Sequence, residues 1–387
     1  KQSIVAAITA GNATSAPYMI LVKAGTYFRQ QSISYLNVFP TQDVAIFAYG
    51  GRVVTGPFDA LTYTLDGTYT NCYKVTRASV NRVVDLLNNG SFGEHVELTL
   101  AANLSACNST AGTWYTDGTT LYVHRLDGAA VTYANTRVYL NAYNVYLNDT
   151  SKNFYINGFD LEGGSVGVLW SCSSSARTGN TIAVNCAFGY QGTIAAGGVR
   201  AVSMDNTIGL AAFVNCKTLG STDDGFNFHW SVTPNAAATL FPLLINCTSS
   251  GNGLSPASVS VNGLTAHDGI IGIDIGGDYE YNFGANVGCI LGIGTNRPTQ
   301  MWCVGTKTAF SRGDIPHSGG TQPPRDFWMD GILNSVPCKM WLDGCYAGSA
   351  TAGSTAATSL AATGSAVIYT RGIANPSATA AGTITAY

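Results

Sequence analysis

Two short acidic segments carry the residue types that acid–base chemistry requires. They read Asp-Asp-Gly and His-Asp-Gly, and aligning them places Asp223 beside His267 and Asp224 beside Asp268. On neighbouring strands about 4.8 Å apart, one carboxyl group would hold its proton at a raised pKa while its partner is ionised. We therefore expect Asp224 and Asp268 to act as the acid and the base or nucleophile of a bond cleavage, with Asp223 and His267 tuning them.

Residues around these segments suit the recognition of a sugar. Flat aromatic faces and carboxylates that bind hydroxyl groups are typical of sugar-binding grooves. Two arginines in or beside a Gly- and Pro-rich turn suit an anionic sugar. The predicted substrate-binding residues are His229, Asn227, Asp274, Asp278, Tyr279, Tyr281, Arg312 and Arg325.

Structural roles compete with these interpretations. Asp-Gly is a common turn dipeptide, since the side chain of Asp caps turns by hydrogen-bonding to the backbone. Asp274, Asp278 and Glu280 supply the hard oxygen ligands of a Ca²⁺ site, although no Asp-x-Asp-x-Asp-Gly loop accompanies them. No other metal or cofactor is predicted, because the ten cysteines form no C-x-x-C pair.

A repeated strand-and-turn pattern predicts the elements that position the acidic segments. Asn157, Asn185, Asn215 and Asn246 are separated by 28, 30 and 31 residues, and each follows β-branched, aromatic or aliphatic residues. Such a period indicates stacked coils, each of which buries its apolar face against its neighbours. The predicted fold is all-β, a right-handed parallel β-helix. Cysteines follow the last three of these asparagines and are predicted to be free, buried thiols.

Composition supports this fold class and excludes others. Charged residues make up 11% of the chain, against about 25% in an ordinary domain, and 45 glycines favour tight turns. The strongest helical pattern is the short segment Val80–Asn89. A net charge of −3 without a Lys/Arg cluster argues against nucleic-acid binding. No apolar run reaches about 18 residues, so membrane insertion is not expected.

Four segments are predicted along the chain. Residues 1–50 form the first coils, and 51–136 form a small antiparallel insertion, in which Asp117-Gly118 joins two aromatic-rich strands as a hairpin. Residues 137–345 form the main β-helix. Residues 346–387 form terminal coils, a cap or an oligomer contact. Because Lys1 is not an initiator Met, the chain is interpreted as processed, trimmed or part of a longer one.

The strand running into Gly25-Thr26-Tyr27, the hairpin and the two acidic coils together resemble right-handed parallel β-helix proteins of the pectate-lyase-like superfamily. Within it, the chain is similar to bacteriophage tailspike and tail-fibre depolymerases. Polygalacturonase-type relatives carry an acidic pair, which Asp223 and Asp224 match, and a His, to which His267 is similar. Their third Asp is absent here unless Asp268 replaces it.

This resemblance implies a protein at an extracellular or virion surface that cleaves a polysaccharide by hydrolysis. Elimination on a uronate glycan, with His229 or His267 as base and Arg312 or Arg325 as neutraliser, is the first alternative. A glycan-binding spike or structural shaft without chemistry is the second. A homotrimer would suit a tailspike.

Overall fold

The chain winds into coils whose strands pair in parallel with the strands of the coils before and after. A computed structural model describes residues 3–31, 39–148, 151–165, 168–171, 179–193, 198–230, 240–258, 261–290, 297–312, 323–331, 337–348, 358–374, 378–380 and 382–387. The predicted fold class is confirmed: the protein is a right-handed parallel β-helix with an antiparallel β insertion near its N-terminal third.

The secondary structure falls into three stretches. The N-terminal stretch contains α1 (Ile4–Asn12), β1 (Tyr18–Tyr27), a 3₁₀ turn (Arg29–Gln31) and β2 (Val44–Thr55). The insertion contains β3 (Thr64–Leu65), β4 (Tyr73–Thr76), β5 (Val80–Asn89), β6 (His95–Glu97), β7 (Thr99–Leu100), α2 (Leu104–Ser109), β8 (Thr113–Thr116), β9 (Thr120–His124) and β10 (Thr136–Leu140). The remaining coils contain β11 (Tyr146–Asn148), β12 (Phe154–Asn157), β13 (Phe159–Glu162), β14 (Val168–Ser171), β15 (Thr181–Val184), β16 (Ala187–Gly189), β17 (Val202–Asp205), β18 (Gly209–Val214), β19 (Lys217–Leu219), β20 (Phe226–His229), β21 (Leu240–Ile245), β22 (Thr248–Ser250), β23 (Leu264–His267), β24 (Ile271–Ile275), β25 (Asp278–Glu280), β26 (Ala285–Ile290), β27 (Gln300–Val304), β28 (Lys307–Ala309), β29 (Arg325–Gly331), β30 (Lys339–Asp343), β31 (Tyr346–Ala347), β32 (Thr358–Gly364), β33 (Val367–Arg371), β34 (Ala378–Ala380) and β35 (Thr383–Ala386).

Each complete coil contributes a strand to each of three faces. The first face contains β12, β15, β18, β21, β24, β27, β30, β33 and β35. The second face contains β13, β16, β19, β22, β25, β28 and β31, and the long strands β1 and β2 run through both of these faces. The third face contains β11, β14, β17, β20, β23, β26, β29, β32 and β34.

The corner between the first and second faces explains the asparagine repeat. Asn185, Asn215 and Asn246 adopt φ values of 52°, 50° and 50°, the left-handed conformation that Asn and Gly tolerate. Their side-chain amides link successive coils, with Asn215 Nδ2 3.3 Å from Asn185 Oδ1. In the coil before Asn185, Gly158 occupies this corner with a φ of 83°, so Asn157 lies one residue ahead of the column.

The cysteines after these asparagines point into the core, as predicted. Cys186, Cys216 and Cys247 are buried and free. The thiol of Cys216 donates to the carbonyl oxygen of Ala183 in the preceding coil at 3.3 Å. Burial raises the pKa of Cys216 to about 12. These thiols therefore act as small core side chains that satisfy backbone carbonyl groups.

Helix α1, which the sequence analysis missed, lies against the first coils. Ser3 caps it by accepting a hydrogen bond from the amide of Ala6 at 3.2 Å. Ile4 and Ile8 are buried in the same core cluster as Ile20 of β1. A solenoid end that would otherwise expose apolar side chains is thus covered. Within the described ranges, no helix combines the length and hydropathy needed to cross a membrane.

The insertion packs against the side of the β-helix, because the chain departs from the coils after a second-face strand and rejoins them at a third-face strand. The side chain of Arg82 is buried, and its Nη1 donates to the carbonyl oxygens of Gly220 at 2.7 Å and Gln191 at 3.2 Å. Its Nε donates to Glu97 at 2.9 Å. The insertion is therefore fixed to the coils by a charged group with several partners.

The hairpin predicted around Asp117-Gly118 is confirmed, since β8 and β9 pair antiparallel. Val80–Asn89, the segment nearest to helical periodicity, is β5, which pairs antiparallel with β10 and β6. Its cross-strand pairing and the burial of Val83 and Val84 favour a strand over the helix that periodicity indicated.

The corner asparagines give a prediction about stability. Asn215→Ala should be less stable than Asn215→Gly by about 1–2 kcal/mol, because alanine is strained at positive φ and glycine is not. Urea titration followed by tryptophan fluorescence would measure the difference. Equal stability of the two variants would contradict the role assigned to this corner.

Candidate active site

The pairing of the third-face strands shows that the predicted alignment of the two acidic segments is wrong. Phe226 pairs with Leu264 and Phe228 with Ala266, so His229 lies beside His267, and Asp224 is in register with Asn262 instead of Asp268. The Asp-Gly at 224–225 precedes its strand, whereas the one at 268–269 follows its strand. Aligning these dipeptides therefore matched the start of β20 with the end of β23.

Asp224 is a structural residue. It is fully buried, its Oδ1 accepts from the backbone amide of Asn262 at 2.6 Å, and its Oδ2 accepts from Asn227 Nδ2 at 2.6 Å. Both carboxylate oxygens thus support neighbouring protein groups. The predicted catalytic pair of Asp224 and Asp268 is not formed, and Asn227, also buried, is a partner of Asp224 and not an exposed sugar ligand.

The charged groups that do meet lie where third-face strands end. Asp205 ends β17, His229 ends β20 and His267 ends β23, while Asp268 takes the next, corner position with a φ of 58°. His229 Nδ1 is 3.8 Å from Asp205 Oδ1, and His229 Nε2 is 3.5 Å from Asp268 Oδ2. We call these four residues the strand-end cluster.

Arg200 connects this cluster to Asp223. Its Nε lies 3.6 Å from Asp223 Oδ2, and its Nη1 lies 3.9 Å from Asp205 Oδ1. Arg200 and Asp205 are partly exposed, while the side chain of Asp223 is 7% exposed. One guanidinium therefore faces two carboxyl groups in different surroundings.

These surroundings shift the two pKa values in opposite directions. Burial, with a further contribution from the charge of Asp224, raises the pKa of Asp223 to about 8, although Arg200 opposes the rise. Burial also acts to raise the pKa of Asp205, but the interactions with His229 and Arg200 outweigh it and lower that pKa overall. Asp223 is thus protonated at neutral pH and Asp205 is ionised, which is the division of roles that acid–base pairs show.

The two histidines stack against one another. The rings of His229 and His267 have centroids 5.0 Å apart and meet edge to face. Burial, followed by the charges of His229 and Arg200, lowers the pKa of His267 well below its usual value. His267 is therefore a neutral imidazole at neutral pH and can act as a base or a ligand.

The acidic stretch after the cluster does not form the predicted Ca²⁺ site or sugar groove. Asp274 and Tyr279 are buried, and Asp274 Oδ1 accepts from the hydroxyl of Tyr279 at 2.6 Å. Burial raises the pKa of Asp274 to about 6. Asp278 and Glu280 flank Tyr279 on β25 and are only partly buried. Because alternate residues of a strand point to opposite sides, these two carboxylates diverge from Asp274.

The remaining predicted sugar ligands lie in adjoining turns, since the amide of Arg312 donates to the carbonyl oxygen of Asn282 at 2.8 Å and that of Arg325 to Ser311 Oγ at 2.7 Å, but their side chains cover aromatic rings. Tyr281 stacks on Phe310 with ring centroids 4.6 Å apart. The guanidinium of Arg312 lies 4.2 Å from the ring centre of Phe283, and that of Arg325 lies 4.5 Å from the ring centre of Trp328. Both arginines therefore cover aromatic faces of their own coil or a nearby strand. The arginine that contacts the strand-end cluster is Arg200, which is not among the residues predicted from the sequence.

A cavity of about 640 Å³ separates the insertion from the coils. It is lined by Phe92, Trp114, Tyr190, Phe283 and Arg312, among others, and by none of the residues of the strand-end cluster. Trp114 is only 5% exposed and donates from Nε1 to the carbonyl oxygen of Leu98 at 3.1 Å. This ring thus belongs to the core of the insertion, in agreement with the structural alternative for its aromatic residues.

Comparison with known proteins places the chain among parallel β-helices. No family model and no curated protein sequence matches it. Among solved structures, the complex of XylC with xylose superimposes with a TM-score of 0.55 at 11% identity, over 98% of this chain and 68% of that one. At this identity the likeness shows the fold alone.

A second similar structure is the Gp54 tailspike of Acinetobacter baumannii bacteriophage AP22 in complex with A. baumannii capsular saccharide. It matches with a TM-score of 0.24 at 9% identity, over 100% of this chain and 66% of that chain. The comparison with XylC therefore supports the parallel β-helix fold, and the site is judged on its own geometry.

The sequence analysis missed Asp205 and Arg200, although a signal for Asp205 was present. The strands β17, β20 and β23 read Val-Ser-Met-Asp, Phe-Asn-Phe-His and Leu-Thr-Ala-His. Each alternates apolar and polar residues and ends in an ionisable one, so aligning them on this pattern finds Asp205 beside His229. No comparable signal exists for Arg200, because its position depends on the turn that precedes β17.

The raised pKa of Asp223 gives a prediction about stability. Between the unfolded pKa of about 3.9 and the folded pKa of about 8, the folded state binds more protons than the unfolded state. The free energy of unfolding should therefore fall as pH rises through this range, by up to about 1.4 kcal/mol per pH unit from this group.

In Asp223→Asn this contribution is absent, and the variant should gain stability relative to wild type as pH increases from 5 towards 8. Urea titrations of both proteins at several pH values would test it. Parallel pH dependences would show that Asp223 ionises normally in the folded protein.

Proposed function

We propose that this protein is a carbohydrate-active β-helix that cleaves a polysaccharide by hydrolysis, with Asp223 as general acid and Asp205 as its ionised partner. The observation that supports this most directly is that both carboxyl groups face Arg200 while their pKa values shift in opposite directions. Glycosidases use two carboxyl groups in these two protonation states.

In the proposed reaction, Asp223 donates its proton to the glycosidic oxygen, which leaves as a hydroxyl group. Asp205 either accepts a proton from the water that attacks the anomeric carbon or attacks that carbon itself. Asp223 Oδ1 is shielded from solvent and has no hydrogen-bond partner within the described ranges, so no described protein group competes for its proton. The catalytic roles predicted for His267 and Asp268 stay predictions, and that of Asp224 is withdrawn.

The substrate class rests on the fold and on the site together. The similar structure of XylC is a complex with xylose, and long solenoid surfaces suit extended polymers. We propose a polysaccharide at a bacterial surface as substrate and an extracellular or virion location for the protein. A homotrimer remains part of this proposal for a tailspike-like protein.

Elimination is a second candidate function that one contact favours. Arg200 is positioned to neutralise the carboxylate of a uronate sugar, and His229 lies next to Asp205 as a base. This replaces the earlier assignment of Arg312 and Arg325 to the neutralising role. Elimination leaves an unsaturated sugar, whereas hydrolysis does not, so the products separate the two reactions.

The proposed function predicts that Asp223→Asn and Asp205→Asn each lower kcat by about 10² to 10⁴, the usual contribution of a general acid or base. Activity of the wild type should also decline above pH about 8, where Asp223 loses its proton. The assay would follow reducing ends and ultraviolet absorbance of unsaturated ends over a panel of bacterial polysaccharides.

Asp343→Asn is the matched control, because Asp343 forms an exposed ion pair with Arg371 on the first face. It should retain wild-type activity. Full activity in both Asp223→Asn and Asp205→Asn would reject the assigned pair. Glycan binding without either product would identify a non-catalytic spike.

A further inference from the structure

We propose that His229, His267 and Asp268 bind a divalent transition-metal ion, with Zn²⁺ the metal that fits best. One nitrogen from each imidazole and one oxygen of the carboxylate all lie within 4.8 Å of one another. None of these three ligands is the proposed acid or base, although Asp205 supports one of them, and the inference holds whether or not the protein cleaves a glycan.

The backbone brings these three side chains together from two successive coils. His229 and His267 occupy the same register position on β20 and β23, and Asp268 turns back towards them from the corner. His229 Nε2 and Asp268 Oδ2 are already 3.5 Å apart. Ligands bonded at about 2.0–2.2 Å around a tetrahedral zinc ion lie roughly 3.3–3.6 Å apart. The His229–Asp268 pair already has this spacing, so only the side chain of His267 has to move closer to the other two ligands.

Two imidazole nitrogens of this group are buried without a hydrogen-bond partner in the described parts of the chain. Nε2 of His267 and Nδ1 of His229 are shielded from water, and neither has a hydrogen-bond partner among the described residues. Buried polar atoms are satisfied in the great majority of cases. A metal ion on His267 Nε2 would supply the missing partner for that nitrogen.

Asp205 completes the environment that metal-bound histidines usually have. It faces Nδ1 of His229 at 3.8 Å, on the opposite side of the ring from Asp268. A carboxylate behind a ligating imidazole fixes its tautomer and raises its affinity for the metal. A metal on Nε2 would leave the proton of His229 on Nδ1, facing Asp205, and a shortening of this 3.8 Å separation would give that nitrogen its hydrogen-bond partner.

The choice of metal follows from the ligand types. Two imidazoles and one carboxylate suit Zn²⁺ and its first-row neighbours, whereas Ca²⁺ and Mg²⁺ prefer oxygen ligands alone. Three protein ligands leave a fourth position to water or to an oxygen of a bound molecule. The site is thus of the open kind, unlike the closed four-ligand sites that only stabilise a fold.

The test measures metal binding directly and requires no substrate. Protein stripped with a chelator would be dialysed against Zn²⁺ and analysed for bound metal, and Co²⁺ would be titrated while its visible absorption is recorded. We expect one equivalent of Zn²⁺ per chain, a Co²⁺ spectrum of a four- or five-coordinate site, and a rise in Tm with Zn²⁺.

Variants then assign the ligands. His267→Asn and Asp268→Asn should each weaken Zn²⁺ binding at least tenfold, and Asp205→Asn should weaken it about 10-fold or more without removing the site. His95→Asn, in the insertion, is the control and should bind as wild type does. Unchanged Zn²⁺ binding in the double variant His229→Asn/His267→Asn, or no binding by the folded wild type, would overturn the proposal.

Because neither the metal analysis nor the Co²⁺ spectrum involves a glycan, the metal-site proposal and the hydrolase proposal can be rejected independently. A wild-type protein that cleaves a polysaccharide but binds no Zn²⁺ would reject the metal site alone. Bound Zn²⁺ without cleavage of any polysaccharide would support the metal site and reject the hydrolase.

Discussion

The in-register pairing of each coil with the next is the constraint on which the rest of the structure depends. Once one strand is placed, the pairing fixes which side chains are neighbours along every column of the solenoid. Inside, this stacks apolar side chains and thiols in columns, and at the corner between the first and second faces it stacks asparagines whose amides link successive coils. At the surface, it sets Asp205, His229 and His267 side by side, although 24 and 38 residues separate them in the sequence.

The scarcity of charge in this chain gives the strand-end cluster its properties. Most columns are apolar or neutral, so the few ionisable groups that meet do so in a poorly solvated environment, where burial shifts their pKa values strongly. Asp223 and His267 both shift towards their neutral forms, while Asp205 remains ionised beside Arg200. A more highly charged surface would screen the interactions among these groups and make the shifts of their pKa values more alike.

The coils could be predicted from the sequence because each corner requires the same left-handed backbone conformation. In the described coils Asn or Gly takes the left-handed conformation at the corner between the first and second faces, so Asn185, Asn215 and Asn246 mark it visibly. The third face could not be aligned in the same way, because the turns that lead to it vary in length: residues 220–225 precede β20, whereas residues 251–263 precede β23. A dipeptide such as Asp-Gly, which can start or end a strand, then gives a false register.

Asp223 and Asp224 show why residue type alone could not identify the acid. They are adjacent, but Asp224 is hydrogen-bonded to Asn262 and Asn227 inside the coil, while Asp223 faces Arg200. Asp224 nevertheless acts on its neighbour, since its charge helps to raise the pKa of Asp223. A carboxylate that supports the backbone can therefore also set the protonation state of the one beside it, so that the structural and chemical roles of the pair depend on each other.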